Sequence, residues 1–185
     1  MRVIAGKARR ILLKTPKSYR TRPTSDRTKE TLFNILQPVL YDADFLDLYS
    51  GSGGIGIEAL SRGAKSCVLV ENDREAVRCI HENLERTHLS DQSEVLARDV
   101  MLALRQLDGK QAFDCVFMDP PFSKGLEKDV LMYLQTSKLL KIGAWIIIEA
   151  SNDTEFDYLP EIGYSLIKEK RYKTNRHLFI ERKEA

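Results

Sequence analysis

The chain has 185 residues, enough for one domain with its own core and no need of disulfide or metal staples. Hydrophobic residues make up 43% and charged residues 30%, a balance that excludes a disordered or fibrous chain. The net charge of +2 hides a segregation: residues 1–25 hold eight basic side chains and no acid, which leaves 21 basic against 27 acidic residues in the remainder.

Three cysteines (Cys67, Cys79 and Cys115) are odd in number, far apart and set among apolar residues. That pattern reads as reduced core thiols, with no zinc pair and no disulfide framework. The start, Met1 to Lys7, lacks the apolar centre of a signal peptide, and no apolar run approaches a membrane span. A cytoplasmic location without a membrane partner is the expectation.

The basic residues of the first segment are Arg2, Lys7, Arg9, Arg10, Lys14, Lys17, Arg20 and Arg22. Val3-Ile4 and Ile11-Leu12-Leu13 read as short strands around Gly6-Lys7-Ala8. A small basic β-hairpin is predicted, a polyanion-binding arm over 1–25 ahead of a body over 26–185. Pro23, Ser25 and Asp26 are helix-start chemistry, and Leu32, Phe33, Ile35, Leu36, Val39 and Leu40 then line one helical face.

From there the chain alternates. Strands are predicted at 45–49, 67–71, 95–97, 113–118 and 144–148, and helices at 55–60, 74–87, 100–107 and 126–136. Two final strands at 164–171 and 174–181 close the chain. Short apolar strands between helices predict an α/β fold, its sheet mainly parallel and covered on both faces.

Gly51, Gly53 and Gly56 form G-x-G-x-x-G between a strand and a helix. Alone the motif also fits NAD binding. Asp47, just before it, would repel a pyrophosphate and attract an ammonium group. Glu71 ends the next strand about 20 residues beyond Gly51, where a ribose-binding carboxylate is expected. Asp99 follows a third strand, placed either to accept from an adenine amino group or to cap the next helix.

The second candidate site is Asp119-Pro120-Pro121-Phe122, at the exit of the strand 113–118. Asp119 and the carbonyl of Pro120 are suited to accept from a planar amino group, and Phe122 offers a face on which a base stacks. Accepting those protons readies the nitrogen lone pair for attack on a sulfonium methyl. No metal is suggested, since His81, His88 and His177 are scattered. Arg22, Arg27 and Lys29 flank the first helix and are candidates for holding a phosphate. Lys168, Lys170, Arg171, Lys173 and Arg176 make a second basic group that reads equally well as solvated surface.

With these residues in view, the chain resembles the class I S-adenosylmethionine methyltransferases. More narrowly it resembles the bacterial 16S rRNA (guanine-N2)-methyltransferase family. The resemblance rests on Arg2 to Gly6, on Thr21-Arg22-Pro23-Thr24-Ser25-Asp26-Arg27 through Leu36, on Leu46 through Gly63, and on Asp119 to Phe122. It implies a Rossmann-like, seven-stranded, mostly parallel sheet with a C-terminal antiparallel hairpin. It implies that S-adenosyl-L-methionine lies against Asp47, Gly51, Ser52 and Gly53, with Glu71 at the ribose and Asp99 at the adenine. Tyr49, Ser50, Asn72 and Val100 would complete that cofactor site.

Asp119, Pro120, Pro121 and Phe122 would then be catalytic, and Arg2, Lys7, Arg9, Arg10, Arg22, Arg27 and Lys29 would bind RNA. The implied partner is 16S rRNA within the small ribosomal subunit or an assembly intermediate. A short chain with no coiled-coil pattern or surface apolar repeat is expected to be a monomer. The turn Arg171-Tyr172-Lys173-Thr174-Asn175 departs from the glycine turn expected there. Three rivals remain: a methyltransferase for adenine N6 or a protein side chain, a non-catalytic rRNA-binding assembly factor, and an NAD-dependent oxidoreductase.

Overall fold

The computed structural model describes residues 1–17 and 24–184, so Arg20 and Arg22 lie outside the described residues. Helix α1 (Asp26–Leu40) starts where Ser25 accepts from the Thr28 amide and buries Leu32, Phe33, Leu36 and Leu40. Each of these apolar side chains contributes about 1.5–3 kcal/mol through removal from water. The elements that follow are β1 (Asp44–Leu48), α2 (Gly54–Ser61), β2 (Ser66–Glu71), α3 (Arg74–Thr87), β3 (Ser93–Ala97) and α4 (Val100–Leu107). Then come β4 (Phe113–Met118), α5 (Leu126–Thr136), β5 (Leu140–Ser151), β6 (Tyr164–Arg171) and β7 (Asn175–Arg182).

Among the described residues seven strands form one sheet in the order β3-β2-β1-β4-β5-β7-β6. The pairs from β3 through β5 are parallel, and β7 is antiparallel to both β5 and β6. The fold class read from the sequence is therefore the one observed. Strand β5 is longer than its apolar stretch 144–148. Its first part carries exposed Lys141, Ile142 and Gly143 and joins β4 across a register shift between Phe113 and Cys115. A search for continuous apolar residues misses such an extension.

Two apolar layers cover the sheet. On one face Val100, Leu104, Val130, Leu131 and Leu134 of α4 and α5 pack on Leu46, Val68, Val116 and Ile146. On the other, α1, α2 and α3 pack on Phe45, Leu69, Phe117 and Phe179, and Val3, Ala8 and Leu13 belong to this second core. The three cysteines are free and buried.

The N-terminal segment turns back on itself as a hairpin, but the two short strands expected there reduce to a single antiparallel bridge between Arg2 and Leu12. The Val3 amide donates to the Ile11 carbonyl at 3.0 Å, and the Leu13 amide to the Met1 carbonyl at 3.0 Å. It is seated on α2: the Lys7 amide donates to the Ser61 carbonyl at 2.9 Å, and the Ala8 amide to Ser61 Oγ at 2.9 Å. Gly6, at φ +84°, permits this contact, because a Cβ there would stand 1.8 Å from the Ser61 carbonyl oxygen.

A buried charge cluster locks the same seat. Glu58, 0% exposed, accepts from the Ile4 amide at 2.9 Å, the Ala5 amide at 3.1 Å and Arg62 Nε at 2.8 Å. Lys29, 1% exposed, lies 3.4 Å from Glu58 and donates to the Arg2 carbonyl at 2.6 Å. Lys29 is therefore corrected as an RNA contact: its ammonium is spent inside the fold, where a phosphate cannot reach it. Burial lowers its pKa, against the pull of Glu58.

Candidate functional site

The strand order reverses between β1 and β4, the topological switch point at which open α/β sheets bind ligands. Asp47 pairs with Phe117 and Leu48 with Met118, so the loops that follow, Tyr49 to Gly53 and Asp119 to Phe122, emerge side by side. The chain's two motifs, some 70 residues apart, thus become one site.

Local chemistry shapes the glycine loop. Tyr49 takes φ +59°, rare for a bulky side chain and held here by the surrounding packing. Ser50 Oγ donates to the Asp47 carbonyl at 2.7 Å, and the Ser50 amide to the Val70 carbonyl at 2.9 Å. Asp47 is 1% exposed, and its carboxylate accepts from the Gly56 amide at 3.0 Å. A Cβ on Gly56 would meet Cys67 Sγ at 2.8 Å and Asp47 Oδ2 at 3.1 Å, so glycine is needed for this approach. Burial pushes the Asp47 carboxyl up to about 7, the Gly56 and Ser50 hydrogen bonds pull it down, and Glu71 adds a smaller upward push.

Glu71 is buried and committed to the backbone. Its carboxylate accepts from the amides of Gly51 at 2.8 Å, Asn72 at 2.9 Å and Asp73 at 3.0 Å. Three of its roughly four acceptor positions are used, which leaves one for a hydroxyl. Asp99 caps α4, accepting from the Met101 amide at 2.9 Å and the Leu102 amide at 3.2 Å, all through Oδ1. Of the two roles open to it, the cap is observed, and its second oxygen is left for another donor. Val100 is buried below it, while Asn72 is exposed at the rim.

Burial, then the nearby charges of Asp99, Glu127 and Asp129, raise the Tyr49 hydroxyl to about 12. At the second loop Pro120 is buried, Pro121 is exposed and Phe122 is 47% exposed, an aromatic face presented to solvent. Asp119 is partly exposed as a residue. Burial of its carboxyl, then the charges of Glu149 and Asp47, hold it well above the carboxylate range. Five acids (Asp47, Glu71, Asp99, Asp119 and Glu149) therefore stand at the carboxyl ends of five strands. Such a crevice favours a cationic ligand and opposes a dinucleotide pyrophosphate.

Two contributors were not read from the sequence. Asn83 of α3, fully buried, donates to the carbonyls of Lys14 at 2.9 Å and Ser52 at 3.0 Å, and accepts from the Lys14 amide at 2.7 Å. It joins the hairpin to the glycine loop, and one polar residue on a helix carries no signal of that. Glu149 lies one residue past the predicted strand 144–148 and has no motif around it; only the sheet sets it beside Asp119.

Of the basic residues, Arg9 and Arg10 are exposed, Arg2 pairs with Asp26 at 2.9 Å, and Lys7 donates to Gln92. Arg27 is exposed on the first turn of α1. The C-terminal group divides. Lys168, Lys170, Arg171 and Lys173 are exposed, whereas Arg176 is buried, bonded to Glu169 at 2.7 Å and to the Thr154 carbonyl, and set over the Phe156 ring. The turn after β6 closes without glycine. The Tyr172 amide donates to the Asn175 carbonyl at 2.8 Å, and Asn152 donates to the Tyr172 carbonyl at 3.1 Å. No helix of the described residues is long and apolar enough to cross a membrane.

Comparison with known proteins agrees with this architecture. The chain is 38% identical over 171 residues to ribosomal RNA small subunit methyltransferase D of Haemophilus influenzae, covering 92% of this chain and 88% of that protein. It is 37% identical over 170 residues to the protein of the same name in Escherichia coli K12, covering 92% and 84%. A solved Escherichia coli structure, provisionally named a methyltransferase, superposes with a TM-score of 0.85 at 33% identity and covers 100% of this chain and 99% of that one. The family described as Conserved hypothetical protein 95 matches residues 1–181, and this chain belongs to it.

Proposed function

We propose that this protein transfers a methyl group from S-adenosyl-L-methionine to the exocyclic N2 amino group of a guanine in small-subunit (16S) rRNA. The single observation that carries the reading is the union of an acid-lined glycine-loop crevice with Asp119-Pro120-Pro121-Phe122 at the switch point. The names of the relatives support the same class of substrate.

The donor set fits the cofactor. Its ammonium finds carboxylates at the loop, and Glu71 keeps one acceptor position for a ribose hydroxyl. Asp99 offers its second oxygen to the adenine amino group, and Gly51 to Gly53 let the backbone come close. Tyr49, Ser50, Asn72 and Val100 form the rest of this wall. When bound, the cofactor supplies a methyl group made electrophilic by a sulfonium centre.

The chain's own residues prepare the acceptor. Asp119 and the Pro120 carbonyl accept from the two N–H groups of the amine, which turns its lone pair toward the methyl. Phe122 stacks on the base, an interaction worth about 1–3 kcal/mol. Pro121 stiffens the loop between them. Orientation of this kind supplies much of the rate gain.

The hairpin supplies the RNA surface through Arg2, Lys7, Arg9 and Arg10, with Arg27 on the first turn of α1, and Arg22 joins them on the strength of the sequence. These residues contact phosphates, which position the substrate without reading its sequence. The protein works as a cytoplasmic monomer on the small subunit or on an assembly intermediate.

The test is transfer of labelled methyl from S-adenosyl-L-methionine to protein-free 16S rRNA, to undermethylated small subunits and to bulk DNA, followed by nucleoside digestion. N2-methylguanosine from rRNA or subunits is the expected product. Label in N6-methyladenosine or in DNA overturns the acceptor, and no label in any substrate overturns the reading.

A further inference from the structure

Across the edge of the sheet where β4 and β5 end and the antiparallel β7 begins runs a row of polar side chains. Phe117 pairs with Ile147, and Ile147 with Phe179, an apolar row that is fully enclosed. Glu149 and His177 stand two residues from this row and on its face, and Met118, the last residue of β4, pairs with Ile148, so Asp119 leaves the strand beside Glu149. Glu149 and His177 pair directly in register.

Glu149 is buried and firmly held. Its Oε1 accepts from Asn175 Nδ2 at 2.8 Å, and its Oε2 lies 3.0 Å from His177 Nε2. A carboxylate only accepts, so Nε2 of His177 carries the hydrogen. His177 is itself 0% exposed and boxed by the rings of Tyr172, Phe117 and Phe179, with centroids at 5.3, 6.2 and 6.5 Å.

A buried carboxylate held by two donors beside another carboxylate is costly to build, and an apolar residue would pack there with less strain on the fold. The methyl-transfer reading gives Glu149 no direct contact with substrate. What it does have is a fixed position next to Asp119.

We propose that Glu149, held by His177 and Asn175, is a positioning residue that acts through Asp119, its charge making the Asp119 carboxylate a stronger acceptor for the proton the amine must lose. The inference rests on the amino-acceptor reading of the site. As the nitrogen–methyl bond forms, the methyl–sulfur bond breaks and leaves its electron pair on sulfur. The nitrogen then carries a positive charge and still holds both of its protons, and one of them passes to an oxygen of Asp119. A like charge nearby raises proton affinity, which is the property needed.

The charges facing Asp119 are those of Glu149 on β5 and Asp47 on β1, and behind Glu149 stand His177 and Asn175 on β7 and Tyr172 of the turn. The direction in which Asp119 is shifted agrees with this placement, burial being the first cause and Glu149 the second.

The test follows Asp119 directly, in the full-length protein labelled with carbon-13 at the aspartate carboxyls. Asp119→Asn assigns the signal. Its titration is then compared among wild type, Glu149→Gln and Glu149→Met, each checked for a native circular dichroism spectrum. Glutamine keeps the shape, and His177 can change tautomer to suit it. Both variants are expected to lower the Asp119 midpoint by about one unit or more, a tenfold loss of proton affinity. The acid limb of kcat moves to lower pH by the same amount, and the alkaline plateau falls because a weaker base remains. A folded variant pair in which the Asp119 midpoint stays in place overturns the inference. Should the midpoint fall as expected while wild type methylates no guanine, the coupling stands and the acceptor reading is the part that fails.

Discussion

Glu58→Gln is the perturbation that best tests how the hairpin is held. Glu58 satisfies two backbone amides, those of Ile4 and Ala5, and balances Arg62 and the buried Lys29. Glutamine keeps one acceptor oxygen and turns an amide donor toward groups that are themselves donors. One buried N–H loses its partner, at about 1–3 kcal/mol, and the Lys29 ammonium stays enclosed without its counter-charge. Breaking a buried pair in this way costs about 3–5 kcal/mol in all. That is a large share of an ordinary domain's stability, roughly 5–15 kcal/mol.

Urea unfolding followed by circular dichroism at pH 7 measures the loss, provided the slope against urea is unchanged. The sign of its pH dependence follows from Lys29. Its pKa in the folded chain lies below the unfolded 10.5 because burial outweighs Glu58, and removing Glu58 lowers it further. Within that window the unfolded chain binds more protons, so stability rises with pH. The deficit of Glu58→Gln therefore narrows from pH 7 to pH 9. Adding Lys29→Met to the variant should recover part of the loss, through a coupling of about 1–3 kcal/mol. A deficit below about 1 kcal/mol, or one that widens with pH, refutes the argument.

Three further outcomes are expected. Asp119→Ala should abolish methyl transfer while leaving S-adenosyl-L-methionine affinity by calorimetry within a few-fold; near wild-type turnover would remove Asp119 from the chemistry. Asp47 has a folded pKa of about 7 against an ordinary 3.8, so the native chain binds the extra proton between these values and its stability falls as pH rises through about 7. Asp47→Asn should therefore gain Tm relative to wild type at pH 8 and not at pH 4, and equal differences at both would show that Asp47 does not titrate there. Charge reversal at Arg9 and Arg10 should raise KM for rRNA and flatten its dependence on salt, since phosphate contacts carry that dependence; an unchanged salt slope would place the RNA contact elsewhere.

Much of the fold is legible in the chain because its signals are local. Apolar residues spaced for one helical face mark 26–40, and five short apolar strands between helices admit few arrangements other than a parallel sheet. The glycine loop and Asp119 to Phe122 are equally local, each a strand exit with turn chemistry of its own.

What sequence alone could not reach depends on partners distant along the chain. Lys29 reads as one more cation of a basic segment, yet the partner that neutralises it, Glu58, is on α2. Arg176 likewise reads as surface charge until Glu169, Thr154 and Phe156 enclose it. Glu149, in an apolar strand, shows its value only when the sheet sets it between Asp119 and His177.

The sequence by itself determined the elements, their class and the two motifs, because hydrophobic period and turn residues act over a few neighbours. The tertiary structure alone decided which charges meet solvent and which meet each other, because burial and pairing are properties of the packed sheet. It placed β1 beside β4, and so turned two separate loops into one crevice.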